Sequence, residues 1–491
     1  MAAKASRVHK SFLNARINLV FYFVSIVSSF FSRKIFLDCL GADFLGLSGT
    51  LCNILGFLSL AEMGIGTAIA YNLYEPLENG DRKKIEDLVS VFGYLYRRIG
   101  LFIIFSSLVF CFFFPLIFRH TNFSYCLIYF AFFSILLSSV ISYFLNYRQI
   151  ILTADQKAYV VTAYMQSAMF VKLVIQMVIA YYLKNYYLWL ALEILYGIVS
   201  CIILNWKIKK EYPWLNATVK KGKSIYSNYK YIIKYTKQVC VHKVKDFILS
   251  QSDQILIFAF VSLKMVAYYG NYILLIQRIS MAFDSALNSF TAGVGNLVAE
   301  GDRQKTYNVF WEIVSVRFLV AGILVFSVYN FIEPFISLWL GRQYILDRWI
   351  LILLIANIYI MQTRGAVDMF NNAHGLYADT WSAWAEGIIN IGVTLGTAPY
   401  WGIKGILLGK IISLLFIVVL WKPHYLFRSG FHLPTKKYWK EISKYYATSI
   451  CIIVCGSLTF QLIPIQADKN FVNFGSKAII CILPFILLYI T

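Results

Sequence analysis

Ionisable side chains recur inside segments otherwise apolar enough to cross a bilayer, and these are the groups with which the chain could do chemistry. Around residues 242–296 two such segments follow one another. In the first, His242, Asp246, Ser250 and Asp253 recur at steps of four, four and three; in the second, Asn271, Arg278, Ser285 and Asn288 recur at steps of seven, seven and three. Both spacings gather the polar side chains on one helical face. A charge facing lipid is costly, so each stripe should face other helices or a wet cavity. An arginine fork in a low-dielectric cavity suits phosphate or pyrophosphate through paired, charge-assisted hydrogen bonds. Arg278 and Lys172 are the deepest cations in the apolar segments, with Lys410 less deep. Arg16, Lys243, Lys245, Arg317, Lys444 and Lys477 complete the set, several of them near segment ends where they can snorkel. Asp253, Glu62 and Asp246 are the candidate proton or sodium carriers. The competing reading of each acid is a structural ion pair, for instance Asp253 or Asp284 with Arg278. Organic cations would favour acids and aromatics instead; with both signs present, the balance leans towards an anionic ligand.

The elements that must position these groups are membrane helices. Of 491 residues 59% are hydrophobic and only 14% charged, against roughly 25% charged in soluble domains. Apolar runs of spanning length, roughly 20 residues, recur at 12–36, 43–71, 88–118, 122–146, 158–182, 185–206, 239–262, 265–297, 308–332, 346–363, 378–397, 402–421, 441–463 and 472–490. The first run is too long for a secretory signal and lacks a small-residue cleavage site, so it reads as a permanent span. With the N-terminus in the cytoplasm, about three lysines and arginines fall in cytoplasmic segments for every one in the opposite loops. An even number of spans returns the C-terminus to the same side. The net charge of +21 is then mostly a topology signal, and no soluble domain offers the basic face that nucleic acid would need. The nine-lysine segment 207–238 reads as positive-inside bias with aromatic anchoring, or as contact with anionic head groups.

The polarity of spans seven and eight is echoed in spans one and two. Asn14, Asn18, Tyr22, Ser25, Ser29 and Ser32 share one face, and Gly49, Gly56, Ser59, Glu62 and Gly66 another. Small residues also permit close helix approach, so part of these stripes serves as packing glue. Asn79-Gly80-Asp81-Arg82-Lys83-Lys84 matches Glu300-Gly301-Asp302-Arg303-Gln304-Lys305 at an offset of 221 residues, and Gly49 falls on Gly270 at the same offset. Both copies follow a long span, after spans two and eight. Six spans per half make the halves enter the membrane in the same direction. The expected fold is an all-α polytopic membrane protein of about 14 transmembrane helices, with two six-helix bundles related by a parallel pseudo-two-fold repeat plus two extra C-terminal helices. Its parts are 1–206 (N-terminal bundle), 207–238 (basic cytoplasmic linker), 239–421 (C-terminal bundle) and 422–491 (cytoplasmic loop and two added helices).

The nine cysteines are scattered singly, without the spacing of a metal site. The sequence carries no Walker loop, GxSxG or HExxH motif. Without a nucleotide site, uphill movement would draw on a proton or sodium gradient or on a partner.

The stretch SFFSRKIFLDCLGADFLGLSGTLCNILGFLSLAEMGIGTAIAYNLYEPLENGDRKKI resembles the opening of Wzx-type polysaccharide flippases, of the multidrug/oligosaccharidyl-lipid/polysaccharide exporter superfamily. SDQILIFAFVSLKMVAYYGNY, followed by SALNSFTAGVGNLVAEGD, is similar to the start of that family's second half. The likeness runs from about Ser6 to about Arg428. It implies two six-helix bundles around a central cavity, moving undecaprenyl-pyrophosphate-linked oligosaccharides between leaflets by alternating access. The related lipid II flippases use cationic cavity residues on the first, second and eighth helices. Arg16 and Arg278 are the counterparts by position, whereas the second helix offers Glu62 and no base. Fourteen spans also resemble the lipid II branch.

The function expected is a lipid-linked oligosaccharide flippase for surface polysaccharide such as O-antigen or capsule, a transporter and not an enzyme, in the cytoplasmic (inner) membrane. Arg278, with Lys172 or Arg16, would hold the pyrophosphate. Asn18, Ser25, Asn271 and Asn288 would line the path of the sugars, and Asp253, Glu62 and Asp246 would couple the ion. The partners implied are the lipid-linked oligosaccharide, the bilayer, and a polysaccharide polymerase and glycosyltransferases, with no nucleic acid. The alternatives are a multidrug or small-molecule ion antiporter of the same fold and a non-transporting scaffold of a glycan-assembly complex; an integral-membrane glycosyltransferase would want a large outside loop rich in acids.

Overall fold

The computed structural model describes residues 7–59, 65–229, 252–376, 379–461 and 471–490, and among them there is no strand. Helices are the expected solution, because a backbone in hydrocarbon must satisfy its own hydrogen bonds. The chain forms two compact units, Met1–Ile255 and Leu256–Thr491.

In the first unit α1 (Arg7–Cys39) is followed by α2 (Ala42–Leu58), α3 (Ile65–Asn79), α4 (Arg82–Cys111), α5 (Tyr125–Leu145), α6 (Ala158–Leu183), α7 (Tyr186–Glu211) and the short α8 (Val219–Ile225). A helix over 252–260 runs through the point where the units divide, and the second unit continues with α9 (Leu263–Asn288), α10 (Thr291–Glu300), α11 (Arg303–Trp339), α12 (Arg348–Thr363), α13 (Gly365–Ala373), α14 (Thr380–Trp401), α15 (Ile403–Leu414), α16 (Thr435–Gln461) and α17 (Phe471–Ile490). Nine of the described helical stretches are long and apolar enough to cross a membrane, and each of the fourteen expected spans contains helix. One span read as continuous, 265–297, is divided into α9 and α10, whereas in 43–71 the stretch between α2 and α3 lies outside the described residues.

The repeat is visible in the element boundaries. α2 and α9 begin at Ala42 and Leu263, α3 and α10 end at Asn79 and Glu300, and α4 and α11 begin at Arg82 and Arg303, each pair at the same 221-residue step. Local chemistry explains the match. Gly80 and Gly301 adopt left-handed φ of 69° and 80°, which terminates a helix without a Cβ clash. The next residue caps the following helix: Asp81 accepts from the Lys84 N–H at 3.0 Å, and Asp302 from the Lys305 N–H at 2.9 Å.

The first unit's core joins Leu88, Val89 and Phe92 of α4 to Leu73 of α3, Ile151, and Leu204 and Ile208 of α7. α8 belongs to this structure. Its Gly222 lies so close to α4 that a Cβ there would stand 2.0 Å from the Ser90 carbonyl oxygen. Lys221 reaches Asp87 at 2.7 Å and Glu86 at 3.4 Å. The segment 207–229, expected as linker, is therefore largely folded onto the bundle. In the second unit α11, with 37 residues, is about 55 Å long, well beyond the roughly 30 Å hydrocarbon thickness. Near its start Phe310 meets Phe370 and Phe431 edge-on, and Trp311 stacks on Tyr445 at 5.9 Å. This aromatic cluster ties α11 to α13, α16 and the end of the helical stretch that continues from α15 to Gly430.

Candidate functional site

The most buried cation among the described residues is Arg317, 3% exposed, in the middle of α11. Its Nη1 donates to Asp284 Oδ1 at 3.3 Å and its Nη2 to Asn288 Oδ1 at 3.4 Å, both on α9. Asp284 and Asn288 are four residues apart and so share a face. Gln362 of α12 donates from Nε2 to the other Asp284 oxygen at 3.4 Å. The guanidinium lies against Gly365: a Cβ there would meet its Cζ at 2.5 Å. Only glycine leaves room for the group to lie flat at this helix junction. All three hydrogen bonds are long, and the Arg317 Nε–H has no hydrogen-bond partner. An unmet buried donor is costly, so this arginine retains capacity for a further acceptor.

Arg317 also borders an open cavity of about 420 Å³ within the second unit. Leu287, Phe290, Val294, Leu297 and Val316 make its walls apolar, and Glu312 and Arg317 supply the charge. This volume lies within the range of small-ligand sites, which pair apolar walls with a few polar groups.

A second polar network sits in the first unit between α6 and α7. Lys172 Nζ meets both Glu193 carboxylate oxygens at 3.0 and 2.9 Å and lies 4.7 Å from the Tyr196 ring centroid. Gln176 donates to Glu193 Oε1 at 2.9 Å and to the Trp189 carbonyl at 3.0 Å. Nearby, the Tyr186 hydroxyl and Ser48 Oγ lie 2.7 Å apart, linking α7 to α2. The Lys172 ammonium is thus already held by an acid.

The remaining expected site residues lie on several helices of the two units. Arg16 and Asn18 are exposed on α1, and Ser25 is half-buried there. Their stripe companion Asn14 acts as glue: it donates to the Gln156 carbonyl at 2.9 Å and accepts from the Tyr159 N–H at 2.6 Å. Asp253 is buried in the helix at 252–260. Asn271 is fully buried in α9, Arg278 is half-buried, and Asn288 joins the Arg317 cluster. Glu62 and Asp246 lie outside the described residues. Asp284 pairs with Arg317 and not with Arg278. Residues six apart on one helix lie about 120° round it and are not the three- and four-residue neighbours that face each other. Sequence reading counted Arg317 among the cations within spans but gave it no role, and so missed the centre of the cluster; the i, i+4 acid and amide on α9 were the signal that a buried base faces them.

Another polar stripe is buried on α14, where Glu386, Asn390 and Thr394 are each at most 2% exposed. It faces the Gly405-Ile-Leu-Leu-Gly409 motif of α15. A Cβ at Gly409 would lie 2.3 Å from Thr394 Oγ1, and one at Gly405 2.6 Å from the Thr397 carbonyl. This is the close small-residue packing of membrane helices.

No family model and no curated protein matches the chain. Solved structures do. The lipid II flippase MurJ in an inward closed conformation has a TM-score of 0.66 at 14% identity, over 97% of this chain and 98% of that one. An inward-facing multidrug resistance MATE family transporter of the MOP superfamily has a TM-score of 0.57 at 13% identity, over 80% of this chain and 93% of that one. An outward-facing multidrug resistance MATE family transporter of that superfamily has a TM-score of 0.52 at 15% identity, over 84% and 94%. At these identities the likeness is one of fold: this chain folds as the MATE transporters and the flippase MurJ do.

Proposed function

We propose that the chain is a flippase that moves an undecaprenyl-pyrophosphate-linked oligosaccharide across the cytoplasmic membrane by alternating access, for surface polysaccharide export. The observation that carries this reading is Arg317, a buried arginine on the wall of a largely apolar cavity. Such a pairing suits a ligand with a phosphoryl head and a hydrocarbon chain. Supporting it, the fold likeness to MurJ runs over nearly the whole chain. Arg278 and Arg16 are the other cations assigned to the pyrophosphate; Lys172 is a poorer choice because Glu193 already neutralises it. Asn18, Ser25, Asn271 and Asn288 are assigned to the sugars. Asp253, Glu62 and Asp246 are assigned to a proton or sodium gradient, and a polymerase and glycosyltransferases are the partners.

A multidrug or small-molecule ion antiporter is the second reading, favoured by the two acids at the same place: Glu312 on the cavity and Asp284 beside Arg317. The test is flux of a fluorescent lipid-linked oligosaccharide in liposomes containing the purified protein. Wild-type protein is expected to move it, and Arg278→Ala to lose most of that flux. Undiminished flux in Arg278→Ala would remove that residue from the mechanism; no wild-type flux, with or without a gradient, would sink the flippase reading. Deletion of the gene separates the alternatives, costing surface polysaccharide in the first reading and drug resistance in the second.

A further inference from the structure

We propose that the outward face of α16 is a site for anionic phospholipid, with Lys436, Lys437 and Lys440 holding the headgroup phosphate and the apolar face below them lying along the acyl chains. The inference goes beyond the transport reading and does not depend on which cargo the chain moves.

α16 has 27 residues, about 40 Å of helix against roughly 30 Å of hydrocarbon. The excess is about two turns, and composition places it at the start, where residues 435–444 read TKKYWKEISK. At 3.6 residues per turn, Lys436, Lys437, Lys440 and Lys444 fall within about 100° of arc, and all four are exposed. The same arc continues down the helix through Val454 and Leu458, which are 50% and 57% exposed. The far side of the helix is packed. Tyr438 and Ile442 are buried in the cluster with Phe310 and Phe427, and a Cβ at Gly456 would stand 2.7 Å from the Phe485 ring of α17. This packing fixes the rotation of α16, so the lysines and the exposed apolar residues keep one outward face. Lipid lying along Val454 and Leu458 brings its headgroup up beneath the ammonium groups, which reach it on flexible stems.

The charge on this face is of one sign. Glu441, the single acid of α16, pairs with Lys444 at 2.9 Å. No described acid forms an ion pair with Lys436, Lys437 or Lys440. The nearby end of the stretch before α16 adds another exposed cation, Arg428. An excess of base near a span is general on the cytoplasmic side of membrane proteins. What sets this one apart is its alignment with a lipid-facing stripe on a helix whose rotation is fixed. Each such lysine raises the preference for anionic lipid about fivefold. A zwitterionic headgroup carries its own cation beside the phosphate and gains less.

Brominated lipids test the site in the purified full-length protein reconstituted in liposomes. The native cysteines are replaced, and a fluorophore is placed on a single cysteine at Ala447→Cys, exposed on the same face about one turn below Lys444. Brominated phosphatidylglycerol is expected to quench it at least about fivefold more effectively than brominated phosphatidylcholine. Molar salt should weaken that preference. Lys436→Gln, Lys437→Gln and Lys440→Gln together should bring the two lipids to parity, whereas Arg at the same three positions should keep the preference. A second label at Leu458→Cys, near the other end of the face, should show no preference. Equal quenching by both lipids in the protein with native lysines would overturn the lipid site and leave the lysines to an acidic protein. An undiminished preference in the glutamine variant would overturn the assignment to these side chains, and an equal preference at 447 and 458 would make it a property of the whole surface and not of a site.

Discussion

Lys172 and Glu193 show how a single residue's surroundings decide its role. The pair is held by two short contacts, buttressed by Gln176, and placed beside Tyr196. Removing one member of a partly buried pair strands the other charge, whereas apolar replacement of both is often near neutral. Lys172→Met is therefore expected to lower the unfolding temperature in detergent sharply, and Lys172→Met with Glu193→Met to recover most of the loss. The same double variant in the flux assay decides between strut and cargo contact. Retained flux is expected from a strut; a stable double variant that moves nothing would return Lys172 to the pyrophosphate. The depth of Lys172 was legible from its place in an apolar run. Its partner was not, because the pairing crosses the α6–α7 hairpin and leaves no short-range pattern in the chain.

Elements were legible where hydrophobicity is periodic and hidden where it is not. The fourteen apolar runs all contain helix, but α8 is seven residues of VKKGKSI, too short and polar to be stable alone. Docking holds it: Thr218 N–H donates to Ser90 Oγ at 3.1 Å, the Tyr147 hydroxyl and Arg148 Nη2 donate to the Ala217 carbonyl at 3.1 and 2.9 Å, and Gly222 allows contact with the α4 backbone. The same side of the unit carries Lys157, bridged to Asp155 at 3.0 Å and Glu211 at 2.9 Å. Hydrogen bonding by Lys157 holds the Glu211 carboxyl below its ordinary value, with Lys207 adding to it. Gly222→Ala would drive a Cβ into a carbonyl oxygen that has no freedom to move, so α8 must lift. Limited trypsin digestion is expected to cut at Lys220 and Lys223 several-fold faster in the variant, as expected when local opening becomes about 1 kcal/mol easier. Unchanged cleavage would mean that α8 is held by something other than this contact.

At the scale of the molecule, one short motif carried more of the fold than any span boundary. The Gly-Asp pair at 80–81 recurs at 301–302 because each copy must end one helix in a left-handed turn and cap the next. That need survives where the surrounding sequence has diverged, which is why the repeat could be read from so few matches. The spans it punctuates were harder to delimit: α11 continues for several turns beyond the hydrocarbon, and apolarity alone does not reveal where a helix leaves the membrane. The repeat also makes a claim about direction. Six spans between equivalent points would put both Gly-Asp junctions on one side of the bilayer, expected from the basic-residue bias to be the cytoplasmic side. The turn at Gly341, between α11 and α12, then lies opposite. In a variant whose nine native cysteines are replaced, single cysteines in place of the exposed Lys83, Gln304 and Gln343 test this with a membrane-impermeant maleimide. Positions 83 and 304 are expected to react only in inverted vesicles, and position 343 in intact spheroplasts. Labelling of 83 and 304 from opposite faces would break the parallel relation between the halves, since no even number of crossings could then separate the two junctions.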